Sequence, residues 1–134
     1  MKEKNKKNTY WLVGLLFVVA FAAIMANQVR SDFGKTEVTF VKIPASDGGF
    51  VAARLYRPKY ATAENKLPAV LTVHGGNNDK DTQAPAAIEL SRRGFVVLAP
   101  DMSTHGDTTI GVNASKAAWG VDIAFDYVKT LPYV

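Results

Sequence analysis

The sequence predicts an α/β fold built on a parallel strand pair, and three observations carry that prediction. Residues 68–73, Pro-Ala-Val-Leu-Thr-Val, form a short apolar run opened by a proline and closed by His74-Gly75-Gly76, which reads as a strand buried on both faces. Residues 95–100, Phe-Val-Val-Leu-Ala-Pro, form a second such run. Between them a helical pattern spans 83–93, with Ala87, Ile88 and Leu90 facing inward and Pro85 in its first turn. Strand, helix, strand in this order is a βαβ unit with a right-handed crossover, and such strands lie parallel.

The chain opens differently. Residues 1–9 are a basic tail in which Lys2, Lys4, Lys6 and Lys7 face only Glu3. Residues 10–26 then run seventeen positions without a charge, from Tyr10 and Trp11 to Ala26. A helix over that run is about 25 Å long at about 1.5 Å per residue, enough for a slightly thinned bilayer core. The two aromatics sit where an interfacial belt belongs, and the lysines place the amino terminus in the cytoplasm and the body outside. A cleaved signal peptide shares this order, with Ile24-Met25-Ala26 as its cleavage site. An uncleaved anchor is preferred because the run is long for a signal. A buried soluble helix is disfavoured because the run has no polar face.

Residues 27–36 are polar and read as a linker. An alternating stretch follows at 37–44, then Ser46-Asp47-Gly48-Gly49 as a hairpin turn, then a second strand at 50–57 that stops at Pro58. These form an antiparallel pair. Residues 59–66 are a polar surface loop leading to the 68–73 strand. After the βαβ unit, with Gly94 capping its helix, a last helical pattern covers 114–130, with Asn113 or Ser115 as its start and Ala118, Val121, Ala124, Phe125 and Val128 inward.

Composition bounds the partners. The 134 residues make one domain at most, and 48% hydrophobic residues suffice for a core. Setting aside the four tail lysines and Glu3 from 16 basic and 12 acidic residues leaves 12 and 11, so the body is nearly neutral. The positive balance belongs to the tail and makes no case for nucleic acid. Cysteine is absent, which excludes disulfides, thiolate zinc sites and a cysteine nucleophile.

The chemistry collects where the two parallel strands end. Glycines at the carboxyl end of such a strand allow a sharp turn and leave backbone N–H groups free to face a ligand, which makes Gly75, Gly76 and Asn77 the candidate active edge. The bland alternative is a tight turn with nothing bound. The second loop at that edge, Asp101-Met102-Ser103-Thr104-His105-Gly106-Asp107, starts from the adjacent strand, on the same side of the sheet as His74. A histidine beside a glycine in a polar turn reads first as a group that orders its loop. His74 and His105 with Asp101 and Asp107 lack the close ligand pairs of a metal site, so no metal or other cofactor is expected.

These motifs in this order resemble the first part of an α/β-hydrolase: the antiparallel pair, the strand into His74-Gly75-Gly76, then Arg93-Gly94-Phe95 through Asp101, then His105-Gly106-Asp107. The likeness covers about residues 37–134. It implies that an N–H just after His74, at Gly75 or Gly76 with Asn77 as a further candidate, serves an oxyanion hole. It also implies that His74, Asp101, His105 and Gly106 are structural residues at the pocket edge. Ser103-Thr104 depart from the Arg-Gly or Tyr-Gly that members often carry there.

An α/β-hydrolase also needs a nucleophile, usually in Gly-x-Ser-x-Gly, followed by an acid and a histidine. Ser31, Ser46, Ser91, Ser103 and Ser115 lack flanking glycines, and no histidine follows His105. The resemblance places the serine elbow shortly after Val134, so residues 37–134 are expected to be an incomplete domain, hydrolytically inert as it stands. The leading reading is the amino-terminal piece of a membrane-anchored serine hydrolase acting on an ester, amide or peptide bond of a small-molecule or peptide substrate outside the cytoplasm. The alternatives are a non-catalytic anchored ligand-binding domain and an anchored α/β module without a site.

Overall fold

The computed structural model describes residues 2–111 and 118–134. It begins with a helix, α1 (Lys2–Arg30), whose apolar side chains are exposed all round, from Tyr10 at 73% to Val29 at 54%. The helix runs on past Ala26, so the first four residues of the polar stretch at 27–36 are helical. A tight turn then ends it. Asp32, Phe33 and Gly34 all take positive φ, at 48°, 52° and 81°.

Strands β1 (Thr36–Pro44) and β2 (Phe50–Pro58) form the expected antiparallel pair, in register from Thr36 opposite Pro58 to Pro44 opposite Phe50. Their turn closes with Ala45 N donating to Gly49 O, and Asp47 accepts from the amides of Gly49 and Gly111. Strand β3 (Ala69–Leu71) lies parallel to β4 (Val96–Pro100), and the sheet order is β1-β2-β4-β3. Between β3 and β4 the chain makes a 3-10 turn at Lys80–Gln83 and then α2 (Ala84–Arg92). Gly94, at φ 90°, ends that helix: its amide bonds Ser91 O while Phe95 N bonds Leu90 O, the paired closure that a left-handed residue permits.

The core lies on both faces of β4, whose five residues are all buried. Val96 and Leu98 pack with Ile43, Val51, Leu55, Ala124 and Val128. Val97 and Ala99 point the other way, to Tyr56 and Ala87, with Ile88 and Leu90 of α2 against them. Burial of side chains such as Leu98 contributes about 1.5–3 kcal/mol each.

Three expectations need correction. The sequence predicts a strand at 68–73 buried on both faces; β3 is three residues long and half-buried, with Ala69 and Leu71 packed against the core from one face and β4 its one neighbour in the sheet among the described residues. The helix over 114–130 is not continuous. Trp119 and Gly120 take φ of 59° and 94°, so a 3-10 turn at Ala118–Gly120 precedes α3 (Val121–Lys129). A side chain at position 120 would press on Ile110 at 2.7 Å, which keeps a glycine there. Phe125, expected inward, is 54% exposed: the face of α3 turned to the core carries Ala124 and Val128, with Ile123 and Tyr127 packed beside them. The expected starts Asn113 and Ser115, and the side chain of Ala118, lie outside the described residues.

Candidate active site

The carboxyl ends of β3 and β4 bring together His74, Asp101, His105 and Gly106. Met102 N donates to His74 Nε2 across 3.1 Å, and His74 itself is 3% exposed. An acceptor Nε2 carries no proton, so the ring proton sits on Nδ1, which donates to Gly75 O at 2.9 Å. His105 stands beside it, ring centroids 5.2 Å apart, with Nδ1 2.9 Å from Ser103 O and its other face toward Trp119.

Asp101 is fully buried and organises both loops. Its carboxylate accepts from Lys80 N at 2.6 Å, Lys80 Nζ at 2.8 Å and Asp107 N at 2.8 Å. Its backbone amide bonds Ala52 O, and its carbonyl accepts from Thr108 Oγ1. Gly106, at φ 51°, passes so close that a Cβ there would lie 2.1 Å from Asp101 Oδ2. Only glycine fits this position, which explains the Asp-x-x-x-His-Gly spacing in mechanical terms.

Lys80 was not singled out in the sequence, where it lies in a run of polar residues with the look of a surface loop. It is 3% exposed, and its ammonium bridges Asp101 and Asp107 at 2.8 Å each. Burial pulls its pKa down, but hydrogen bonds and charge from the two carboxylates outweigh this and hold it above the ordinary lysine value. The hydrogen bond from Lys80, then its charge, holds the Asp107 carboxyl below the usual carboxylate range.

The five residues 75–79 are therefore held at both ends by the loop after β4, through Met102 to His74 and Asp101 to Lys80. Between those clamps Gly75, Gly76 and Asn77 are exposed. Among the described residues none accepts a hydrogen bond from their backbone amides, and a Cβ added at Gly75 or Gly76 would meet nothing within 4 Å. Asn77 takes φ 62°, a left-handed conformation that asparagine tolerates better than most residues. Three free donors on an anchored loop can bind an oxyanion or another acceptor. No histidine and carboxylate group of metal-binding size forms among the described residues.

No family model matches the chain, and no curated protein does. Solved structures do. A Pseudomonas aeruginosa protein, PA2218, is similar with a TM-score of 0.61 at 29% identity, over 75% of this chain and 32% of that one. The Pyrococcus furiosus esterase PF2001 gives 0.54 at 16% identity, over 73% and 37%. Acetyl xylan esterase 1 from Thermoanaerobacterium sp. JW/SL YS485 gives 0.53 at 18% identity, over 75% and 38%. This chain spans about a third of the length of each, and its fold is that of the first part of an α/β-hydrolase sheet, an antiparallel strand pair followed by a βαβ unit.

Proposed function

We propose that this chain is the amino-terminal part of a serine hydrolase, anchored by α1 and acting on an ester, amide or peptide bond outside the cytoplasm. The observation that carries the reading is the anchored loop at the carboxyl edge of the parallel pair, where Gly75, Gly76 and Asn77 are exposed and their amides have no acceptor among the described residues. In this reading a serine beyond Val134 attacks the carbonyl, a histidine takes its proton, and the amide at Gly75 or Gly76 holds the oxyanion. The fold of the neighbouring structures and the length of each that the chain spans support it. Charge placement supports the orientation, since α1 is long and apolar enough to cross a bilayer and its lysines precede the apolar run.

The reading frame past Val134 tests the chemistry. A Gly-x-Ser-x-Gly within a few tens of residues, labelled by a fluorophosphonate in the longer protein and silent after serine to alanine, supports it. A stop there favours the second reading, a non-catalytic anchored domain that holds a ligand at the same edge; the lack of a glycine-flanked serine in this chain is what speaks for that alternative. Protease added to intact cells tests the anchor: the body should be digested and a tag at Met1 spared. Protection of the body would refute the orientation, and a mature amino terminus at Asn27 would show cleavage.

A further inference from the structure

We propose that the end of the sheet where α1 enters is a seat for the anionic phospholipid headgroups of the bilayer, and that it holds the His74 edge away from the membrane, in water. The inference rests on the anchor reading of α1 and adds to it a second contact with the lipid surface and a substrate drawn from the aqueous phase.

The first observation is the turn that follows α1. Phe33 N bonds Gln28 O at 2.7 Å and Thr36 N bonds Ser31 O at 2.9 Å, which locks Asp32 and Phe33 in left-handed conformations. A bulky residue seldom takes that conformation, and such outliers persist where the surroundings impose them. The result is a phenylalanine 65% exposed at the foot of the helix. Tyr60, 54% exposed, stands at the same end, because Lys59 N bonds Lys35 O at 2.9 Å. Two exposed aromatic rings beside the end of a spanning helix suit the headgroup boundary.

The second observation is charge. Arg30, Lys35, Lys59, Arg92 and Arg93 gather around this end against Asp32 and Glu89. Asp32 is held by Arg92 Nε at 2.7 Å and Glu89 by Arg93 at 2.8 Å, which leaves Lys35, Lys59 and Arg30 as the cationic excess among the described residues. One rung further, Glu37 and Arg57 pair with each other, and Glu64 and Lys66 of the next loop balance in number. A recess of about 310 Å³ opens between these groups, lined by Asp32, Lys35, Thr36, Tyr60, Ser91 and Arg92 among others. Basic groups next to a spanning helix attract anionic lipid, which commits the surface to that occupant.

The third observation is direction. Thr36, Pro58 and Val96 mark this end, while Pro44, Phe50, Pro100 and the His74 and Asp101 loops mark the other. Asp101 N bonds Ala52 O, and six residue steps separate Pro58 from Ala52, so the candidate active edge stands about 20 Å further out along the strands, at about 3.3 Å per step. A substrate reaching that edge comes from water.

The test uses the full chain in vesicles. Since the chain has no cysteine, Tyr60→Cys and Ser46→Cys, at opposite ends, accept nitroxide labels singly. Labelled protein goes into vesicles of phosphatidylcholine alone or with phosphatidylglycerol, and spin accessibility to oxygen and to a nickel chelate is read. At position 60 the expected shift on adding phosphatidylglycerol is a gain in oxygen access and a loss of nickel access, abolished by Lys35→Glu with Lys59→Glu. At position 46 the label should stay open to nickel in both. A label at 60 that stays in water in both vesicles, as a site for a soluble partner would, or a label at 46 that meets lipid, overturns the proposal while the anchor stands. Protein that fails to float with either vesicle after a carbonate wash overturns the anchor reading itself.

Discussion

Met102 N donates to His74 Nε2 at 3.1 Å, and this bond ties the loop after β3 to the loop after β4. It decides what the histidine does. A buried ring whose Nε2 accepts and whose Nδ1 donates to Gly75 O has both nitrogens engaged in holding the 75–79 loop. We predict that His74→Phe costs about 1–3 kcal/mol, since Met102 N–H loses its acceptor in a closed site. Chemical denaturation of the full chain in detergent, followed by circular dichroism, measures it; an unchanged midpoint would refute the clamp.

Lys80→Met should cost more, about 3–5 kcal/mol, because it leaves the buried Asp101 carboxylate without its cation. Lys80→Met with Asp101→Asn should cost less than the two changes summed. Full additivity would show that the pair is not coupled.

The same cluster sets a pH dependence. The pKa of Lys80 is raised in the folded state, so its contribution is complete below the ordinary value of 10.5 and is lost as pH rises through the folded value. Asp107 is lowered, so its contribution is complete above 3.8 and is lost as pH falls through the folded value. Burial raises Tyr56, which adds to the alkaline loss above 10.0. Stability should therefore be level between about pH 4 and pH 10 from these groups. In a Tyr56→Phe background, Lys80→Met should flatten the alkaline limb; a limb unchanged by Lys80→Met would contradict this assignment.

Two glycines of the edge should respond in opposite ways. Gly106→Ala would drive a Cβ into Asp101 at φ 51° and should cost at least about 3 kcal/mol or prevent folding. Gly76→Ala meets open space and should change stability by under about 0.5 kcal/mol. Denaturation midpoints of the two variants, side by side, check the contrast. A large loss for Gly76→Ala would refute the contrast.

The outer edge of β3 makes a further prediction. Val73 is 40% exposed beside it, and Thr72 Oγ1 is buried with no partner among the described residues. An unpaired strand edge of this kind recruits other strands. The detergent-solubilised chain should self-associate through β3, and Val73→Lys should reduce that association in sedimentation velocity. Equal association in both would place the contact elsewhere.

The alternating stretches, the Asp47-Gly48-Gly49 turn, the βαβ order and the Gly94 cap were legible in the sequence because periodicity and turn chemistry act between near neighbours. The positions of Gly75, Gly76, Asn77, His74 and Asp101 at one edge followed from that order, since parallel strands end on the same side. Other features depended on residues far apart. Lys80 lies in a polar run with no local sign of burial; Asp101 and Asp107, 21 and 27 residues later, close around it. The break at Trp119 and Gly120 interrupts a good helical pattern because Ile110 occupies the space a side chain at 120 would need. Sequence pattern by itself determined the elements, the turns and the edge where the loops meet. Tertiary structure alone decided which polar groups are buried and which glycines have no room, because desolvation and packing depend on neighbours that only the folded chain supplies.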